Sequence, residues 1–298
     1  MKQDHQQLLK PELINSVSGL ALIARVVVDG FLAGNHQSRK VGQGLEFSQY
    51  KAYQPGDDMR LLDWKMLARS GRYYIKQAEI DTQVAIKFVV DSSASMQYAE
   101  SGLSKMDYAR VLIASLAYLS YQQGDAVGLF ALNDRALKSL YPTSNKQHYN
   151  RLLNELIRTT STGSWPKNKR DIQKIHNRSH KELIFLVTDM YEYDDELSGW
   201  IQQLKTSKNE VVVIQLMGKN EMEFEYSGAM VFEDLETGHR VKIEANHAKA
   251  EYLNSLKEHL EGIKEAMTTS GIGYELFRFD IPLHEVLRLF LKKRLRLH

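Results

Sequence analysis

Apolar positions along the chain change period repeatedly, and each change marks an element. Residues 17–34 place Leu20, Ile23, Val27 and Phe31 at helical spacing, which predicts an amphipathic helix packed on the rest of the protein. From residue 82 onward, strand and helix signals alternate. Residues 82–90 are rich in β-branched side chains and predict the first central strand. Residues 105–121 carry Ala109, Leu112, Ile113, Leu116 and Leu119 on one helical face. Gly124-Asp125 turns into a strand over 126–133, residues 135–141 return as its hairpin mate, and 146–158 read as a helix. Leu183-Ile184-Phe185-Leu186-Val187 is a continuous apolar run, as expected of a strand buried on both faces. Asp194 is the expected N-cap of a helix carrying Leu197, Ile201 and Leu204, and 211–217 predict the next buried strand. Residues 230–233 and 240–243 flank Thr237-Gly238 as a hairpin, followed by a helix over 246–269 and a strand over 273–279.

Buried strands alternating with amphipathic helices predict an α/β fold, a doubly wound and mostly parallel sheet with helices on both faces. Residues 81–298 are expected to form this domain, with a hairpin insertion near 229–243, and the hairpin and the elements after it are expected to complete the same sheet. Residues 1–80 are expected as an added N-terminal segment packing on that core. In it, Pro55-Gly56 predicts a type II turn. Arg60, Asp63 and Arg69 predict a fastening ion-pair network, and Trp64 a core residue.

Composition limits the chemistry. At 298 residues the chain accommodates one large domain or two, and 43% hydrophobic content is enough to bury a core. Lys and Arg number 39 against 37 Asp and Glu, so no strong field draws the chain to nucleic acid or an anionic membrane. Basic residues at 292–296 suit a helix C-terminus. Cysteine is absent, which removes disulfides, thiolate catalysis and Cys-based metal sites and fits a reducing cytoplasm. Residues 1–10 are polar, with no signal-peptide core, and Arg25 and Asp29 interrupt the 17–34 stretch short of a membrane span. The expectation is a cytoplasmic protein with neither a nucleic-acid partner nor membrane insertion. His176 and His180 lack a flanking His-Glu-x-x-His pattern and read as a surface pair.

The candidate chemistry begins where the first central strand ends. Val89-Val90-Asp91-Ser92-Ser93-Ala94-Ser95 closes an apolar run with a carboxylate and hydroxyls at alternating positions, hard oxygen donors suited to Mg²⁺. Ligands in open α/β sheets bind beyond the carboxyl ends of the strands. Asp189 also follows an apolar strand directly, so the fold is expected to bring it to the edge that holds Asp91. The plainer alternative is that the serines cap the next helix and Asp91 bonds backbone amides of the turn.

Asp91, Ser93 and Ser95, with Asp189 in Leu186-Val187-Thr188-Asp189-Met190, resemble the metal-ion-dependent adhesion site of von Willebrand factor A (vWA) domains. Gly42-Gln43-Gly44-Leu45-Glu46-Phe47, Tyr53-Gln54-Pro55-Gly56-Asp57-Asp58, Arg60, Asp63-Trp64-Lys65 and Ala68-Arg69 resemble the signature of DUF58, a bacterial family with such a domain. Phe232-Glu233-Asp234-Leu235-Glu236-Thr237-Gly238 and residues 274–291 also match its pattern, so the resemblance spans roughly 15–295. It implies a divalent ion, Mg²⁺ or else Mn²⁺ or Ca²⁺, held directly by Ser93 and Ser95, with Asp91 and Asp189 orienting coordinated waters. A second loop is implied to add a hydroxyl. Where the family shows Gly-Gly-Thr, this chain has Thr160-Ser161-Thr162-Gly163-Ser164-Trp165; Ser164 fits by its distance from Asp189, with Thr162 as the alternative.

The resemblance further implies a non-catalytic adaptor that offers the ion to a carboxylate of a MoxR-type AAA+ ATPase or of a client protein. A Mg²⁺-dependent phosphohydrolase using Asp91 ranks second, because no second carboxylate stands at the position of Ser93 to act as acid and base. A metal-independent scaffold is the third class. No phosphate-binding loop, nucleophile elbow or dinucleotide fingerprint is present.

Overall fold

Strands that are apolar on both faces form the centre of the larger compact unit, and helices cover each side. The computed structural model describes residues 9–36, 49–54, 59, 62–77, 84–166, 171–175, 182–191 and 196–294. Its first elements are helices α1 (Pro11–Ile14) and α2 (Val17–His36), strand β1 (Gln49–Ala52), helix α3 (Trp64–Ser70) and strand β2 (Tyr74–Gln77). The strands β3 (Ala85–Asp91), β4 (Ala99–Glu100) and β5 (Leu103–Ser104) precede α4 (Lys105–Gln122). Then come β6 (Ala126–Leu132), β7 (Leu137–Thr143), α5 (Lys146–Arg158), α6 (Ile172–Ile175), β8 (Glu182–Thr188), α7 (Glu196–Leu204), β9 (Asn209–Met217) and α8 (Lys219–Glu223). The chain closes with β10 (Ala229–Glu233), β11 (Arg240–Glu244), α9 (Ala245–Thr269), β12 (Gly273–Arg278) and α10 (Leu283–Arg294).

Six strands form the main sheet in the order β12-β9-β8-β3-β6-β7. All neighbours are parallel except β7, which returns antiparallel to β6. The fold is therefore α/β with a mostly parallel sheet. Alternate residues of β3 feed opposite cores: Phe88 and Val90 pack with α2, α4, α5 and α10, whereas Val89 packs with α6, α7 and α9. After β3 the chain builds outward through β6, and β8 starts afresh on the other side of β3. The carboxyl ends of β3 and β8 thus flank the topological switch point, the crevice where such sheets bind ligands.

A charged pair is buried inside this sheet. Lys87, in the middle of β3, is buried and donates to Glu182 and to the Ile175 carbonyl. The paired charges explain how lysine is tolerated in an otherwise apolar strand.

The chain divides into two compact units, one of Met1–Asn35 with Val84–His298 and the other of His36–Gln83. The expected 1–80 segment is thereby split. Leu20, Ile23, Ala24 and Val27 of α2 join the core of the sheet unit, because the apolar stripe of that helix needs a large apolar partner. In the second unit β1 pairs antiparallel with β2. Asp63 caps α3 by accepting from the N–H groups of Lys65 and Met66. Trp64 is 63% exposed and not in a core, since α3 has no buried residue and offers it no face to pack on. The motifs at 42–47 and 55–58, Arg60, His176, His180 and Asp194 lie outside the described residues.

Of the elements after residue 228, β12 alone joins the main sheet. β10 and β11 form a hairpin of their own, Ala229 opposite Glu244. β10 alternates between exposed and partly buried positions, and β11 is exposed at every residue but Ile243, which suits a one-faced ribbon rather than a central strand. Among the described residues, no helix is long and apolar enough to cross a membrane.

Candidate metal centre

Asp91 ends β3 almost fully buried, 2% exposed. Its Oδ1 accepts the N–H of Ser93 at 2.9 Å and its Oδ2 accepts the Thr188 hydroxyl at 2.7 Å. The chain then enters a 3₁₀ turn, Ala94–Gln97, with Ser93 at the N-cap position but no hydrogen bond from its side chain to the turn. Capping therefore does not explain the serine. The hydroxyls of Ser93 and Ser95 instead lie 2.9 Å apart, and Ser95 Oγ donates to Asp189 Oδ1 at 3.2 Å. Asp91, Ser93, Ser95 and Asp189 thus meet at one point from two strand ends. Met190, the next residue, has φ +57°, an uncommon conformation for a side-chain-bearing residue.

The second loop runs alongside. Thr162 N–H donates to the Ser92 carbonyl, Ala94 N–H to the Gly163 carbonyl, and Asp134 N–H to the Ser164 carbonyl, all between 2.7 and 2.8 Å. Gly163 is required here: its φ is +72°, and a Cβ would stand 2.0 Å from Asp134 Oδ1. Ser164 is held through its backbone carbonyl, and the Thr162 hydroxyl faces Asn133 Nδ2 at 3.4 Å. Ser161 was not singled out by spacing, yet its Oγ is sealed from solvent with no hydrogen-bond partner.

Three further charged residues surround the point, and sequence patterning identified none of them as part of the site. Lys105, at the start of α4, is buried and pairs with Asp189 Oδ2 at 3.0 Å and Glu221 Oε1 at 2.7 Å. Burial opposes its charge, but the two carboxylates outweigh burial and raise its pKa. Glu221 is pushed up by burial, an effect Lys105 partly offsets. Glu236, on the β10–β11 turn, is half-buried and is pushed up to about 7 by burial, then by Asp91 and Asp189, while the Ser95 and Ser93 hydroxyls favour its charged form. Its Oε1 nonetheless is sealed from solvent and lacks a hydrogen-bond partner. Asp91 is raised to about 6 by burial and by Asp189, against the bonds from Ser93 and Thr188. The signal available for these residues is weak: Lys105 and Glu221 sit in ordinary helical contexts, and only the Asp-Leu-Glu-Thr-Gly run around Glu236 stands out.

A cavity of about 380 Å³ opens over this floor. Ser95, Lys105 and Asp189 line it below, and Tyr98, Phe224 and Tyr226 are among the aromatic rings of its wall.

The chemistry of the donor set suits a hard divalent cation. Asp189 and Glu221 share Lys105, and the charge of Asp189 acts on both Asp91 and Glu236. Buried like charges of this kind call for a cation or a proton. The orphaned oxygens of Glu236 and Ser161 are of the type Mg²⁺ prefers. Among the described residues, no three His, Asp or Glu side chains alone form a ready ligand group, so the serine hydroxyls are integral to the fit.

A family model described as "Protein of unknown function DUF58" matches residues 49–261. The chain belongs to the DUF58 family. Asp91, Ser93, Ser95, Ser164, Asp189 and Glu236 all fall inside the region matched to DUF58. Uncharacterized proteins of Mycobacterium tuberculosis and Mycobacterium bovis are 24% identical over 230 residues, covering 76% of this chain and 72% of theirs. Similar solved structures include BatB from Bacteroides thetaiotaomicron (14% identity, TM-score 0.45, 72% of this chain and 99% of that one). They also include a von Willebrand factor type A protein from Catenulispora acidiphila (16% identity, TM-score 0.38, 70% of this chain and 42% of that one). The vWA domain of SpRpn10 is 12% identical, with a TM-score of 0.39 over 69% of this chain and 94% of that one.

Proposed function

We propose that this DUF58 protein is a non-catalytic adaptor that binds a partner protein through a divalent ion. The observation that carries the reading is the run of contacts Ser93 Oγ to Ser95 Oγ to Asp189 Oδ1, in which hydroxyls free of any capping duty face a carboxylate from another strand. In this reading Ser93 and Ser95 would hold Mg²⁺, Mn²⁺ or Ca²⁺ directly. Asp91 and Asp189 would orient its waters and balance its charge. Ser164, Thr162 or the orphaned Ser161 would add the second-loop hydroxyl. A bound ion would supply positive charge and an open position for an acidic side chain.

The partner we propose is a MoxR-type AAA+ ATPase or one of its clients, met in the cytoplasm. The phosphohydrolase alternative is weaker because both oxygens of Asp91 are engaged, one by Ser93 and one by Thr188, and a nucleophile needs a free one. The test is to titrate the metal-loaded protein against the candidate ATPase. Affinity lost on Asp91→Ala and on chelation supports the adaptor; affinity unchanged by both overturns the metal bridge in favour of a scaffold. Asp91-dependent hydrolysis of a phosphate ester would favour the enzyme.

A further inference from the structure

We propose that Glu236 is a ligand of this metal centre supplied from within the chain, so that the β10–β11 hairpin caps the site and must withdraw before a partner's carboxylate can replace it. The inference rests on the metal reading above and concerns the regulation of that site. Glu236 is presented by a built turn. Asp234 Oδ1 accepts the N–H groups of Glu236 at 2.8 Å and Thr237 at 3.1 Å, and Gly238 N–H closes back on the Asp234 carbonyl at 2.8 Å. The turn is latched to the floor of the cavity, because Tyr191, two residues beyond Asp189, donates its hydroxyl to Asp234 Oδ2 at 3.0 Å.

Asp234 and Leu235, which lead into this glutamate, line the same cavity as Ser95 and Asp189, and the Glu236 Oε1 is shut off from solvent without a hydrogen-bond partner; the charges of Asp91 and Asp189 act on it there. Lys105, the cation of this cluster, is already held by Asp189 and Glu221. Inserting an anion among anions and leaving its oxygen unpaired is unfavourable by itself. A cation between the carboxylates and hydroxyls removes the conflict, and Glu236 then has the chemistry expected of the partner's acidic side chain.

The test titrates Mn²⁺ into the full chain, reading free Mn²⁺ by electron paramagnetic resonance and the water-proton relaxation of the bound ion. For Glu236→Gln the expected result is affinity weakened about tenfold and higher relaxation per bound ion, as water takes the vacated position. In the wild type, Mn²⁺ should slow hydrogen exchange of the amides at 234–238, an effect that Tyr191→Phe weakens without unfolding the site. Wild type and Glu236→Gln that bind Mn²⁺ alike, with binding still lost in Asp91→Ala, overturn the role of Glu236 and leave the metal centre standing. Failure of the wild type to bind Mn²⁺ overturns both.

Discussion

Ser95 Oγ donates to Asp189 Oδ1 at 3.2 Å, joining side chains 94 positions apart. The contact exists because β3 and β8 are parallel neighbours in register, Val90 opposite Val187, and therefore end at the same edge. Ser95→Ala removes two hydrogen bonds, one with Ser93 Oγ and one to Asp189 Oδ1, an expected loss of about 1–3 kcal/mol, seen as a fall in Tm. It also removes a proposed ligand, so the gain in Tm on adding Mg²⁺ should vanish. Thermal melts with and without Mg²⁺ check both; a full Mg²⁺ gain in the variant would exclude Ser95 as a ligand.

Stability without metal should fall as pH rises from 5 to 8. Asp91 moves from 3.8 to about 6 and Glu236 from 4.5 to about 7 on folding. A carboxylate raised in the folded state contributes stability that is complete below its unfolded pKa and lost as pH climbs through the folded one. Added Mg²⁺ favours the ionised forms, so its stabilising effect should be small near pH 5 and largest near pH 8. His148, lowered mainly by burial, acts in the opposite direction. Melts of wild type and Glu236→Gln at each pH isolate the carboxylate contribution, which should be visibly smaller in the variant.

Gly163→Ala should damage the second loop. Its backbone is left-handed and the added methyl meets Asp134, a combination expected to cost about 1–3 kcal/mol. Because the Gly163 carbonyl holds the N–H of Ala94, between the two serines, metal affinity should fall with stability. Calorimetry with Mg²⁺ checks this, against Gly124→Ala, whose added methyl meets no atom within 4 Å although its φ is also positive.

Lys87 and Glu182 test the sheet independently of the site. Their side chains are 2% and 3% exposed, so Lys87→Met alone takes the buried cation away from a buried carboxylate and should cost about 3–5 kcal/mol in denaturant melts. Lys87→Met with Glu182→Leu should recover much of that loss. Neither variant should alter the Mg²⁺ dependence of folding once folded protein is recovered.

Much of this architecture was legible in the chain. The helix over residues 146–158 and the hairpin mates around residue 237 coincide with α5 and with β10–β11 to within a residue, because periodicity and turn chemistry are local signals. That Asp91, Ser93, Ser95 and Asp189 come together was legible because strand ends in a parallel sheet share an edge. Lys87 was masked by the apolar run that contains it, since its partner Glu182 is 95 positions away. Trp64 went astray because an aromatic residue carries no local sign of whether a face exists to bury it. Lys105, Glu221 and Glu236 depend on where α4, α8 and the hairpin turn come to rest around the switch point, which no spacing encodes. The hairpin itself was read as part of the main sheet; strand pattern alone does not say which sheet a strand joins.

The central claim is that oxygens of two strand ends bind one divalent ion. Isothermal titration of Mn²⁺ into metal-free protein at pH 8 tests it most directly, alongside Asp91→Ala and Ser93→Ala. The account predicts a single site whose binding is lost in Asp91→Ala and strongly weakened in Ser93→Ala, with both variants still folded by circular dichroism. Absence of binding to the wild type, or binding that both variants retain, would contradict it.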